Sequence, residues 1–144
     1  MSTNNQSLLP PWALVALAEL GQREIIGADA NPRIAAYLKT VAQKADDEIP
    51  WCAAFVNWSL LQCGIKGTGL ANAKSYLTWG AHTALRPGAI IIQNRGHQSW
   101  QGHVSIVVQV NSTGVYAIGG NQSNMVSIAN VSKDLIVAAR YPLV

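Results

Sequence analysis

The sequence predicts an α+β fold in a single domain, residues 1–144, on three observations. Apolar residues recur at helical spacing through the first half, β-branched runs dominate the second, and Pro87-Gly88 marks the change between them. Helices first and antiparallel strands second is the order of a domain whose helices pack on one side of a sheet. With 144 residues, 49% of them apolar, the chain can bury a core without disulfide or metal staples. The charged fraction of 12% is too low for a disordered segment.

The elements follow in order. Residues 1–9 are mostly polar and irregular. Pro10-Pro11 then open a helix with Trp12, Val15, Ala16 and Leu20 on one face and Gly21 near its end. Asn31 and Pro32 start a second helix through Ile34, Tyr37, Leu38 and Val41, and Asp46-Asp47-Glu48 closes it as an acidic turn. From Pro50 to Cys63, the positions Cys52, Phe55, Val56, Ser59, Leu60 and Cys63 trace one face of a third helix, which Gly64 stops. A shorter helix is expected over Ala71 to Gly80. Strands are expected at Ala89–Gln93, His103–Val110, Val115–Ile118, Met125–Val131 and Leu135–Tyr141, with Gly119 to Asn124 as a connection.

Charge and hydropathy exclude several classes of function. The net charge of +3 is mild, and Lys39, Lys44, Lys66, Lys74 and Lys133 are scattered, so the basic patch of a nucleic-acid binder is missing. A weak attraction to an anionic polymer is what remains. No stretch approaches the roughly 18 apolar residues that a membrane span requires, so no membrane insertion is expected. Met1 to Ser7 carries no positive region ahead of the apolar run, so the expectation is a protein made in the cytoplasm without a secretory signal.

Two cysteines and three histidines hold most of the chemistry. Cys52 and Cys63 lie about 16 Å apart if one helix joins them, too far for a disulfide. A cysteine in the first turn of a helix gains from the helix dipole and the free amides, which favour thiolate, and Cys52 has that address. Neither Pro50 nor Trp51 offers a side-chain oxygen to cap those amides, leaving them for an oxyanion. Position alone leaves Cys52 equally readable as a small core residue, as Cys63 is.

His103 opens a strand after a glycine-containing loop and shares a face with Ser105, Val107 and Gln109, small enough neighbours for a helix to pack close. His82 and His97 sit in loop-like context, and the three histidines lack the spacing of a metal site. Asn121, one hairpin after His103 and in step with Ala117 and Gly119, is placed to orient the imidazole; Gly119-Gly120-Asn121-Gln122 reads equally well as a tight turn.

Together, Ile49-Pro50-Trp51-Cys52-Ala53-Ala54-Phe55-Val56-Asn57-Trp58, Gly102-His103-Val104 and Gly119-Gly120-Asn121-Gln122 resemble the NlpC-type and CHAP-type cysteine peptidases and amidases. The likeness is nearest to a phage-associated and effector-associated branch and runs through nearly the whole chain. It implies a reduced papain-like fold with the cysteine helix packed on an antiparallel sheet. It makes Cys52 the nucleophile, His103 the general base and Asn121 the orienting third residue, with Trp51 and Gln122 flanking the substrate cleft. Many CHAP relatives carry a glutamate two positions before that asparagine, where this chain has Gly119.

The implied reaction is hydrolysis of a stem-peptide or sugar-to-peptide amide in peptidoglycan through a thioester, with no metal or organic cofactor. The enzyme would reach the wall, on the periplasmic side, by delivery or lysis. An interbacterial toxin would need a cognate immunity protein in its producer, and a phage lysin a membrane-permeabilising partner. Two other readings share the sequence. One is a non-catalytic wall-binding module using Trp51, Trp58, Trp79 and Trp100 as sugar platforms. The other is an acyltransferase on the same scaffold.

Overall fold

A computed structural model describes residues 9–24, 31–42, 51–95 and 101–143. Its helices are α1 (Pro11–Leu17), α2 (Pro32–Leu38) and α3 (Cys52–Leu61), followed by a 3-10 helix at Ala73–Thr78. Its strands are β1 (Ala81–His82), β2 (Ile90–Asn94), β3 (Gly102–Val110), β4 (Gly114–Gln122), β5 (Met125–Ser132) and β6 (Ile136–Tyr141). They form one six-stranded sheet in the order β1-β6-β2-β3-β4-β5, antiparallel throughout. The helices precede that sheet and pack on it, the α+β arrangement expected. Among the described residues no helix is long and apolar enough to cross a membrane.

The helices begin and end where their residues dictate. Pro11 and Pro32 occupy first turns, where a missing N–H costs nothing, and the Asn31 side chain accepts from the Arg33 amide. Gly64, at φ 74°, ends α3 in a Schellman turn: Ile65 N–H reaches the Leu60 carbonyl and Gly64 N–H the Leu61 carbonyl, both at 3.0 Å. The acidic turn Asp46-Asp47-Glu48 lies outside the described residues.

Two differences from expectation concern α1 and the fourth helix. Helix α1 stops at Leu17, so Leu20 falls off its buried face and is exposed, and Glu19 is buried instead. That carboxylate accepts from Tyr37 Oη at 2.7 Å and pairs with Arg33 at 2.8 Å, which satisfies it. Burial, with Glu19 beside it, pushes the Tyr37 hydroxyl well above its ordinary range. The fourth helix is the short 3-10 segment, whose Tyr76 lies in the core.

The sheet alternates between two cores. Ile90, Ile92, Val104, Ile106 and Ile118 face α1, α2 and α3, whereas Ala89, Ile91, Val107 and Ala117 form a smaller core on the opposite face. Helix α3 is therefore buried almost all round, between two helices and the sheet, which explains a run of Cys, Ala, Ala, Phe and Val with almost no polar residue. Its buried Asn57 accepts from Gly69 N–H at 3.1 Å and donates to the Thr40 carbonyl at 2.9 Å, tying two loops to the helix.

Candidate active site

The site is assembled where the start of α3 meets the start of β3 and the end of β4. Trp51 precedes α3 without capping it by a side chain. Its indole lies 3% exposed, stacked on Tyr37 at 5.9 Å between ring centroids, with Nε1 donating to Glu24 at 2.7 Å. Gly120 makes room for it: a Cβ there would come 2.7 Å from the Trp51 ring and 2.8 Å from Phe55 Cβ. Trp51 thus fixes the first turn of α3 from inside the core, with almost none of its surface exposed.

The β4–β5 connection differs from the sequence expectation in a way that changes the site. Strand β4 continues to Gln122, which pairs with Met125, and the two-residue turn Ser123-Asn124 has φ 58° and 61°, as a type I′ hairpin requires. Between Gly119 and Gln122 the register shifts, and Asn121 sits in the left-handed region at φ 62°. The bulge rephases the strand, so Gln122 rather than Asn121 follows Gly119 on the face toward His103. The segment after α1 lies along β5 and braces this hairpin: Gly21 N–H reaches Val126 O at 2.9 Å, Val126 N–H reaches Gln22 O at 2.8 Å, and Glu24 N–H reaches Asn124 O at 3.1 Å.

A chain of hydrogen bonds then leads to the sulfur. Gln122 Nε2 donates to the Ser127 carbonyl at 2.6 Å. A carbonyl only accepts, so the amide orientation is fixed and Oε1 is left for His103 Nε2 at 2.9 Å. Nε2 must therefore carry its hydrogen, and in the neutral ring the lone pair lies on Nδ1. His103 also shares a hydrogen bond with the Cys52 thiol. With Nε2 occupied, Nδ1 is the ring nitrogen left to share that bond.

The room for this arrangement comes from a missing side chain. A Cβ on Gly119 would stand 2.8 Å from Gln122 Oε1 and 3.0 Å from Ser105 Cβ. The space left by the missing side chain at Gly119 is thus the one through which the Gln122 amide reaches the histidine. Asn121 makes no side-chain hydrogen bond among the described residues; it lines a groove beside His103 instead.

The face on which α3 packs is also not the expected one. It uses Val104, Ile106 and Ile118, not Ser105 and Val107 on the alternate face with His103. The Cys52 sulfur reaches the histidine because it lies against the strand backbone, where the Val104 amide donates to it. Ser105, fully buried, keeps a hydroxyl oxygen without a partner among the described residues.

The electrostatics shift both groups toward their charged forms. Burial pushes the Cys52 thiol up, but the hydrogen bond and charge of His103, the Val104 amide and the charge of Arg95 outweigh it and hold the thiol below its ordinary value. Burial likewise pulls His103 down, yet the bond and charge of Cys52 and the acceptor on Gln122 raise it above its ordinary value, against a smaller opposing effect of Arg95. Cys63 shows the contrast: burial alone raises its thiol, and nothing opposes it. Both cysteines are free. Such a pair can supply a thiolate to a carbonyl carbon and a proton to a departing amine.

Of the residues singled out from sequence, Cys52, His103 and Gln122 are brought together, Asn121 lies at the groove, and Trp51 is in the core. His82 pairs with Arg140 in β1 and β6, away from that cluster, and His97 lies outside the described residues. The sequence reading missed Ser127, Arg95 and the orienting contact of Gln122. The signal for the last was the Ser-Asn turn, which marks a hairpin and hence a strand reaching Gln122. The groove has a volume of about 330 Å³.

A search of curated proteins finds no match to this chain. The model of the CHAP domain family matches residues 44–121, from just before the cysteine helix to the asparagine of the bulge. That span is more than half of the chain and holds Cys52 and His103 in the order and setting described above. This chain belongs to the CHAP domain family, whose members are generally cysteine- and histidine-dependent amidase or peptidase domains acting on peptidoglycan.

Proposed function

We propose that this protein hydrolyses a peptide or amide bond in the stem peptides of peptidoglycan through a thioester on Cys52. The observation that carries the reading is the chain Ser127 O, Gln122, His103, Cys52, in which every hydrogen-bond direction but the last is imposed by its neighbour. In this reading the Cys52 thiolate attacks the amide carbon, and the negative oxygen is received by the free amides at the start of α3. The imidazolium gives its Nδ1 proton to the leaving nitrogen, so an amine departs and a thioester remains. Neutral His103 then takes a proton from water, the hydroxide attacks the thioester, and a carboxylate leaves as Cys52 is restored.

Gln122 is the positioning residue, holding Nε2–H so that Nδ1 faces the sulfur. The tryptophans support an enzyme over a wall-binding module. Trp51 is buried, Trp58 packs edge-on against Tyr37 at 5.1 Å, and Trp79 Nε1 donates to Lys66 O at 3.1 Å, which are packing roles. Trp100 lies outside the described residues.

The test is digestion of purified peptidoglycan in water enriched in oxygen-18, with mass spectrometry of the released fragments. Hydrolysis predicts one new amine terminus and one new carboxylate bearing the label. Fragments joined to a second amine, without label, would show acyl transfer and overturn the hydrolytic reading.

A further inference from the structure

Beside His103, the groove is lined by the amides of Asn94, Asn121, Gln122 and Asn130 and by Arg95, its remaining residues being apolar or, in Gln93, neutral. Arg95 alone among them carries a permanent charge. It is exposed, at the end of β2, and its amide donates to Gln101 O at 3.4 Å, which holds it across the neck between β2 and β3. No carboxylate among the described residues pairs with Arg95. A guanidinium presents a planar fork of donors that matches a carboxylate with two parallel bonds, and the surrounding amides suit a peptide backbone.

We propose that this groove is a subsite for a free carboxylate of the substrate peptide, held by Arg95 next to the bond that is cut. The inference rests on the stem-peptide reading above and names the feature by which substrates are chosen. Peptides bearing a free carboxylate there are preferred over otherwise identical peptides in which it is a carboxamide. The charge of Arg95 is felt at both Cys52 and His103, so a carboxylate bound to it lies within electrostatic reach of the reacting atoms.

The experiment measures binding of two synthetic stem peptides, identical but for one carboxylate or carboxamide, to the folded Cys52→Ala protein, which binds without turnover. Calorimetry should show the carboxylate peptide tighter by about tenfold, the lower range for a charge-assisted pair in a groove open to water. Arg95→Gln in the same background should reduce that preference to near unity, and Arg95→Lys should retain part of it. Equal affinity for the two peptides, a preference that survives Arg95→Gln, or no binding of either peptide would each overturn the inference. Failure of the hydrolase reading is seen separately, as absence of fragments when the wild-type protein is given peptidoglycan.

Discussion

Gln122→Ala removes the acceptor that meets His103 Nε2 at 2.9 Å, the one it has among the described residues. Hydrogen bonds to a charged group contribute about 1.5–3 kcal/mol, and about 1.4 kcal/mol is a decade in rate. The expected loss in kcat/KM is therefore about 10- to 150-fold. Asn121→Gly is the matched control, because glycine keeps the left-handed backbone at φ 62° and the side chain removed has no hydrogen bond among the described residues. Its loss should be smaller than that of Gln122→Ala, because it removes a groove amide and no hydrogen bond to His103. Turnover of defined muropeptides, with circular dichroism to confirm folding, is the assay. Wild-type turnover in Gln122→Ala, or a larger loss in Asn121→Gly, would refute the assignment of the positioning role to Gln122.

The pH profile of kcat/KM should be bell-shaped. The thiolate forms below the ordinary thiol value of 9.0, so the acid limb lies there; the imidazolium persists above the ordinary 6.5, so the basic limb lies above it. Because the Gln122 acceptor raises His103, Gln122→Ala should move the basic limb to lower pH; an unmoved limb would refute that coupling. Gly120→Ala would force a methyl to within 2.8 Å of Trp51 and Phe55 and should cost about 1–3 kcal/mol, read as a Tm lower by roughly 2 to 12 °C. An unchanged Tm would show that Trp51 is not packed as described. Cys63→Ala should retain wild-type turnover, since that thiol lies past the C-terminal end of α3 and is shifted by burial alone.

Much of this fold was legible because its signals are local. The face Cys52, Phe55, Val56, Leu60 forms a helix on its spacing alone, and Gly64 stops it by its φ of 74°. The strands from Ile90 to Tyr141 follow from β-branched runs between turns. What stayed hidden depends on events that strict alternation does not encode. A period-two count carried Asn121 to the face of His103, and the bulge after Gly119 moved Gln122 there instead. Likewise the choice of face for α3 was misjudged, because small residues at Ser105 and Val107 suggested close approach, whereas the larger core lies on the side of Val104 and Ile106. Trp51 looked like a cleft wall next to the cysteine; only the tertiary contacts with Tyr37, Glu24 and Gly120 put it in the core.

The most direct measurement is solubilisation of purified peptidoglycan by wild type, Cys52→Ala, His103→Ala and the double variant in parallel, in chelator, with all four shown to be folded. Nucleophile and base act as one unit, so each variant should lose turnover to a similar extent, by several orders of magnitude, and the double variant should lose little more. A folded Cys52→Ala protein that solubilised peptidoglycan at the wild-type rate would contradict the cysteine mechanism outright.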